Sequence, residues 1–475
     1  MKYTLFIFRR DLRLIDNKGL NYALNNFKNV IPIFIFTPEQ VQNNQFKSDN
    51  AVQFMIESLL DLDIELHKHK SILNFFYGDN LEVLKFIAQN INLECVVFNQ
   101  DYTPYSIKRD KQISDYLQNL KIKCKTFEDY LLSPIGTFNK KDGKAYTIYT
   151  PFKNNVLKEK IDKPDENLKY QNLTQMIDIN DQLQLNIKKH KNIELLNKEE
   201  LFKFIETKNE NILVKGGRHN ALKMLNFTLT IQKYEENRNK LSFNTSHLSA
   251  YIKFGNLSIR EIYHKFKETF GIDSGLIAQL IWREFYYYIA YYFPRVLEGE
   301  NFVSKFDNIV WSDNNDYYLK WCKGETGFPV VDAGMRELNK TGYMHNRTRL
   351  ITSNFLNRML GMDWKKGELY FAQKLTDYDP SVNNGNWQWI SSVGVDPKPF
   401  NQRLFNPFLQ SNKFDENCEY IKKWIPSLQN VPNKHLHEWE KYYKLYNLKD
   451  IEYVKPVVDY SEARKRSVAM YRAVL

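Results

Sequence analysis

The chain has 475 residues, 43% hydrophobic and 26% charged, with a formal charge of +11 and a pI near 9.0. That length admits two or three domains, and four cysteines scattered without a CxxC exclude a disulfide scaffold or a zinc ribbon. No apolar stretch approaches a membrane span and the run behind Met1 is too short for a signal peptide, so a soluble intracellular protein, cytoplasmic or nuclear, is expected. The basic balance suits a polyanion such as nucleic acid, provided the charge gathers on one face.

Residues 1–130 alternate strand-like and helix-like pieces. "YTLFIF" (Tyr3–Phe8), "NVIPIFIF" (Asn29–Phe36), "ILNFFYG" (Ile72–Gly78) and "CVVFNQ" (Cys95–Gln100) are continuous apolar runs, the mark of strands buried on both faces. Between them lie amphipathic segments such as "SDNAVQFMIESLLDLDIEL", with Ser48 or Asp49 placed to cap a helix. This alternation predicts a doubly wound parallel sheet. No GxGxxG follows the first strand; "RRDLRL" stands there, so a standard dinucleotide site is not expected in this domain. Residues 131–200, with "NKKDGK", "KPDEN" and "DINDQLQLNIKKHKN", are polar and aperiodic and predict a long interdomain linker. Residues 201–475 are helical in texture without strand alternation or repeat. The expected class is therefore α/β followed by all-α.

Four segments of the helical part carry candidate chemistry. In "NTSHLSAY", Thr245, Ser246 and Ser249 precede a helix and suit either a phosphate or a plain N-cap. In "GLIAQLIWREFYYYIAYYF", Gln279 and Arg283 share one helix face beside Trp282 and Tyr286. This is either an aromatic core helix or one whose buried arginine awaits an anion, because burying an unpaired guanidinium costs several kcal/mol. In "TGYMHNRTRLITSNF", helical spacing puts Asn346, Arg349 and Leu350 on one side and Arg347 elsewhere. "LTDYDPSVNNGNWQW" carries Asp377 and Asp379, and Asp377 is a candidate ion-pair partner for Arg349. Its Trp387 and Trp389 stand two residues apart, and either core filling or a ligand would use such a pair. The HxH pairs His67–His69 and His435–His437 lack a companion ligand and are taken as surface histidines, with no metal expected.

Together these blocks resemble the photolyase/cryptochrome family, most closely its class I-type cyclobutane pyrimidine dimer photolyases. "FRRDLRLIDNKGL" is similar to the family's N-terminal signature. "TSHLS", "LIWREFYYYI", "TGFPVVDAGMREL", "GYMHNRTRLITSNFL", "NNGNWQW" and "NPFLQSNKFD" are similar to successive blocks of its flavin domain, in the right order and spacing. The resemblance implies FAD, active when reduced, bound in a U-shape by residues 201–475. Carried over position by position, Tyr234, Thr245, Ser246, His247, Leu248 and Ser249 would meet the phosphate and adenine side, with Arg283 nearby. Arg349 and Asp377 would flank the isoalloxazine, Asn346, Tyr378 and Asp379 would also contact the cofactor, and Asn383 would face flavin N5.

The activity implied is light-driven DNA repair, in which excited reduced FAD passes an electron to a flipped-out pyrimidine dimer and the dimer splits. Trp389 and Trp282 would wall the lesion, while Trp387, Trp364 and Trp311 would relay electrons from the surface to the flavin. Arg238, Arg347, Arg403 and Gln410, with Asn346, fall at or near DNA-contact positions. Gln279 departs from the Glu usual in cyclobutane-dimer enzymes and matches (6-4) photoproduct enzymes instead. Those enzymes, however, use two histidines where this chain has Asn346 and Leu350, with His345 one position too early. Cyclobutane dimers are therefore the expected lesion. The alternatives are a (6-4) photolyase, a cryptochrome photoreceptor without repair, and a binding module with a dead flavin pocket. The retained Asn383 and the lack of a tail beyond the flavin domain argue against the cryptochrome. An antenna chromophore (folate, deazaflavin or a second flavin) would sit at Asn99–Asp110 and "FTPEQ", where Ser106 replaces the carboxylate used for folate. A monomer is expected.

Overall fold

The computed structural model describes residues 1–165, 169–174, 186, 190–397 and 399–475. The apolar runs form β1 (Tyr3–Phe8), β2 (Val30–Phe36), β3 (Asn74–Tyr77) and β4 (Leu93–Asn99), and every residue of β2 is buried. Crossover helices α1 (Lys18–Asn26), α2 (Asp49–Lys68) and α3 (Asn80–Asn90) connect them, and α4 (Pro104–Asn119) leads to β5 (Lys123–Phe127). The order is β5-β4-β1-β2-β3-β6, with β1 to β5 parallel and β6 (Glu194–Leu196) antiparallel on β3. Successive side chains explain the unbroken apolar runs. Leu5, Ile7, Ile33 and Val96 pack toward Leu84, Ile87 and Ile113 on one face. Phe6, Phe8, Phe34 and Val97 join a core on the other face that continues into the helical part through Tyr251, Ile277 and Tyr288. Of the two candidate caps for α2, Ser48 does the capping, its Oγ accepting the Ala51 N–H at 3.3 Å.

Two strands go beyond the four expected. β5, "KCKTF", is a half-solvated edge strand and shows no apolar run. β6 falls inside the stretch expected to be linker, which also forms α5 (Tyr149–Val156). Most of "DINDQLQLNIKKHKN" and part of "KPDEN" lie outside the described residues.

Past Val214 the described residues are helical, apart from one isolated bridge between Ser312 and Met362. The helices that build the site are α6 (Ser249–Phe254), α7 (Ile259–Phe270), α8 (Gly275–Tyr292), α9 (Asn346–Asn354), α10 (Trp364–Lys374), α11 (Pro380–Ile390) and α12 (Pro407–Phe414). Two glycines let them close up. A Cβ on Gly385 would lie 2.1 Å from the Tyr286 ring, and one on Gly367 would lie 2.1 Å from Trp387. No helix among the described residues is long and apolar enough to cross a membrane.

The segment standing where a glycine-rich loop is usual has a mechanical role. Arg13 pairs with Asp129 at 2.5 Å, while Arg260 of α7 pairs with Asp129 at 2.7 Å and Asp16 at 3.0 Å. All four are buried, so each charge is tolerable only because the others are there. This network ties the sheet to the helical part. Arg10 reaches further, pairing with Asp101 at 2.9 Å and with Asp379 at the start of α11.

Candidate functional site

The helical part encloses a cavity of about 520 Å³. Segments 234–249 supply Tyr234, Thr245, Ser246, His247, Leu248 and Ser249 to its lining. His247 adopts a left-handed backbone (φ +48°), and its Nδ1 is buried without a hydrogen-bond partner. Burial, helped by the charge of Lys423, pulls its pKa down to about 4, so the ring is neutral near pH 7. Next to this group α6 delivers Lys253, which the sequence did not single out. Its ammonium has no ion-pair or hydrogen-bond partner among the described residues. Burial lowers it to about 7, with Arg10 adding to the effect and Asp379, Asp377 and Asp101 opposing.

Arg349 and Asp377 form the anticipated ion pair as a two-pronged fork, at 3.1 and 2.9 Å. Arg349 Nε also donates to the Met344 carbonyl at 2.8 Å, which fixes the guanidinium plane. Asn383 donates from Nδ2 to the Glu368 carbonyl at 3.3 Å, leaving Oδ1 without a partner among the described residues. Tyr378 lies parallel to Phe46. Asp379 lines the cavity with both carboxylate oxygens engaged. Oδ1 caps α11 through the Val382 N–H, and Oδ2 accepts from Arg10 and Tyr287. Burial pushes this carboxyl up, but Arg10 and the Tyr287 hydroxyl outweigh it and hold it below its ordinary value.

On α8, Gln279, Trp282, Arg283 and Tyr286 all line the cavity. The partner expected for Arg283 is internal: Nη1 donates to the Tyr130 carbonyl at 2.8 Å and to Glu284 at 3.3 Å. Trp282 and Trp389 both line the cavity, and Trp389 Nε1 is buried without a partner. Trp387 is 2% exposed and contacts the rings of Phe371 and Trp321, at 4.9 and 6.3 Å between centroids.

A family model described as the FAD binding domain of DNA photolyase matches residues 276–473, and one described as DNA photolyase matches residues 4–169. The deoxyribodipyrimidine photo-lyase of Buchnera aphidicola (subspecies Acyrthosiphon pisum) is 34% identical over 99% of this chain and 97% of its own. The chain belongs to the DNA photolyase family. Two solved photolyases superpose over nearly all of it. One, from Sulfolobus tokodaii and holding two FAD molecules, has a TM-score of 0.86 and 37% identity over 99% of this chain and 100% of its own. The other, a class III photolyase from Agrobacterium tumefaciens, has a TM-score of 0.87 and 30% identity over 100% and 98%.

Against this photolyase frame the remaining expected residues divide. Arg238, Arg347 and Asn346 line the cavity, Asn346 exposed and Arg347 donating to Asn239 Oδ1 at 2.6 Å. Gln410, half-buried on α12, stands outside the lining. Arg403, expected to meet DNA, is instead only 3% exposed, its guanidinium stacked 3.9 Å over Trp389. Trp364 is fully buried, its Nε1 donating to Asn301 at 2.9 Å, and Trp311 is half-buried. His345 caps α9, with Nδ1 accepting the Arg347 N–H at 3.1 Å. Burial, helped by His247, lowers it to about 4, and Asn346 and Leu350 face the cavity in its stead. His437 is not a surface histidine: it is 8% exposed and bonded to Ser411 Oγ at 2.8 Å. Ser106, also buried, bonds Thr103 within the cap of α4.

Proposed function

We propose that this photolyase repairs cyclobutane pyrimidine dimers in DNA by the light-driven chemistry of a class I-type enzyme. The observation that carries the reading is one cavity lined by two kinds of residue. It joins a set of unsatisfied donors and acceptors suited to FAD with two tryptophans suited to a pair of bases. The fit to FAD rests on three groups without a hydrogen-bond partner among the described residues: His247 Nδ1, Asn383 Oδ1 and the Lys253 ammonium, which lies 3.5 Å over the Phe254 ring. Thr245, Ser246, Ser249, His247 and Lys253 would hold the diphosphate, and Tyr234 and Leu248 would border it. The Arg349–Asp377 fork, Tyr378 and Asn383 would hold the ring system. When bound in its reduced form, FAD supplies the light absorption and the electron that opens the dimer's four-membered ring.

The chain's own residues do the rest. Trp282 and Trp389 accept the extruded bases by stacking, at roughly 1–3 kcal/mol per base. Gln279 offers the lesion a neutral amide in the place usual for a carboxylate. Arg238 and Arg347 at the cavity neutralise phosphates, so affinity falls as salt rises. Trp387 at the cavity wall, buried Trp364 and half-buried Trp311 form the route by which reducing equivalents enter from solvent. In the sheet domain, Arg9 Nη2 and Arg109 Nη2 are buried without partners near Asn99–Asp110, which supports a second chromophore there.

Blue-light repair of two oligonucleotides, one with a single cyclobutane thymine dimer and one with a (6-4) photoproduct, tests the proposal. Restoration of the first alone is expected. Restoration of the (6-4) lesion would transfer the assignment to that class through Gln279. No repair by flavin-loaded protein would leave a photoreceptor.

A further inference from the structure

Trp282 and Trp389, two of the three tryptophans that line the cavity, are each backed from outside it, and the two backings meet at one residue. Behind Trp282 lies Tyr149 of α5, the rings parallel within 6° and 3.6 Å apart between centroids. Tyr149 is not part of the cavity lining. Its hydroxyl donates to the Ala278 carbonyl at 2.9 Å, one turn before Trp282 on α8, so the ring is pinned at its far end. Behind Trp389 lies the Arg403 guanidinium, which donates to the Trp389 carbonyl at 2.6 Å.

Asp396 joins them. Its carboxylate accepts the Tyr149 N–H at 3.2 Å, and its own N–H donates to the Thr147 carbonyl at 2.9 Å. Its carbonyl accepts Arg403 Nη2 at 2.6 Å. All three polar functions of one residue thus serve the backings, two toward Trp282 and one toward Trp389. The backbone of Asp396 is left-handed (φ +51°), a conformation glycine adopts freely and few side chains tolerate. Glycine would satisfy that backbone without strain but would lose the carboxylate acceptor. Aspartate is among the few side chains that tolerate this backbone, so it meets the turn's demand and keeps the acceptor that glycine would lack.

We propose that Asp396 is a positioning residue that sets the spacing of the Trp282 and Trp389 walls and thereby the affinity for an extruded lesion. The inference rests on the lesion site described above. Asp396 acts through Tyr149 and Arg403 and touches neither lesion nor cofactor. Its influence therefore falls on recognition of damaged bases and leaves the flavin end of the cavity, around Arg349 and Asn383, untouched.

The test uses flavin-loaded full-length protein in the dark, with oligonucleotides that carry or lack one cyclobutane thymine dimer. Asp396→Gly keeps the backbone unstrained and deletes the acceptor. Asp396→Asn removes the charge and keeps an acceptor. Asp396→Gly and Tyr149→Leu should each weaken binding of dimer DNA by about tenfold, as expected from partial loss of one stacking wall. Their combination should be little worse than either alone, because both loosen the same wall. Asp396→Asn should stay within about twofold of the parent, and binding of undamaged DNA and FAD content should not change. Undiminished dimer affinity in Asp396→Gly, equal weakening toward both DNAs, or fully additive effects would each overturn the proposal. If Asp396→Gly loses FAD or unfolds, Tyr149→Leu alone decides by the same criterion. Failure of the parent protein to prefer dimer DNA would instead refute the lesion site itself, a distinct outcome.

Discussion

Replacing Arg349 by Met preserves most of the side chain's bulk and leaves Asp377, 5% exposed, without its countercharge. At an effective dielectric of about 20, unit charges ~4 Å apart attract by roughly 4 kcal/mol. Desolvation offsets part of that, so a net coupling of about 2–3 kcal/mol is expected between the partners. Asp377→Asn should cost less than Arg349→Met, because Arg349 is 26% exposed and keeps its bond to the Met344 carbonyl. The double variant removes both charges and should cost less than the two single costs combined. A double-mutant cycle on flavin-free protein, with denaturant unfolding followed by tryptophan fluorescence, measures the coupling directly. In thermal unfolding, Arg349→Met should lower the midpoint by about 2–5 °C, the small shift expected for an unfolding unit of this size. Costs that add within about 0.5 kcal/mol would show that the fork contributes packing only, and the argument from paired burial would fail.

Trp389→Ala should weaken binding of dimer-containing DNA by at least about fivefold with FAD content unchanged, since one base loses its stacking partner; equal binding removes Trp389 from the lesion site. Trp387→Phe should slow photoreduction of oxidised flavin yet spare repair once the flavin is reduced; unchanged photoreduction would place the electron route elsewhere. Lys253, lowered to about 7 by burial, should regain its proton when the anionic diphosphate binds to flavin-free protein. FAD affinity should therefore fall by up to about tenfold per unit as pH rises above 7, until the bound-state pKa is reached. Calorimetry at pH 8.5 in buffers of different ionisation heat should show uptake of close to one proton, and little uptake in Lys253→Met. The same uptake in both proteins would assign the proton to another group.

The amino-acid sequence by itself determined the elements whose signal is local. β1 to β4 were legible because both sheet faces are buried and the runs are mostly apolar, broken only by single polar residues such as Thr4 and Asn74. The helix carrying Gln279, Trp282 and Arg283 was legible for the same kind of reason, and opposite charge alone made Arg349 and Asp377 candidate partners. The plain N-cap reading of the segment before Ser249 does not hold, because Leu248 takes the cap position and no side chain caps the helix. β5 and β6 were not, because a solvated edge strand and a three-residue strand are stabilised by their neighbours more than by their own composition. Only the tertiary structure decided what each charged or aromatic side chain faces. Arg10 meets Asp379 across 369 positions, Arg283 finds its partner in the Tyr130 carbonyl, and Arg403 turns from the expected phosphate to the back of Trp389. Lys253, Tyr149 and Asp396 carry no local pattern at all. Their roles come from long-range burial, which removes water as the default partner of every polar group and makes the nearest protein atom its replacement.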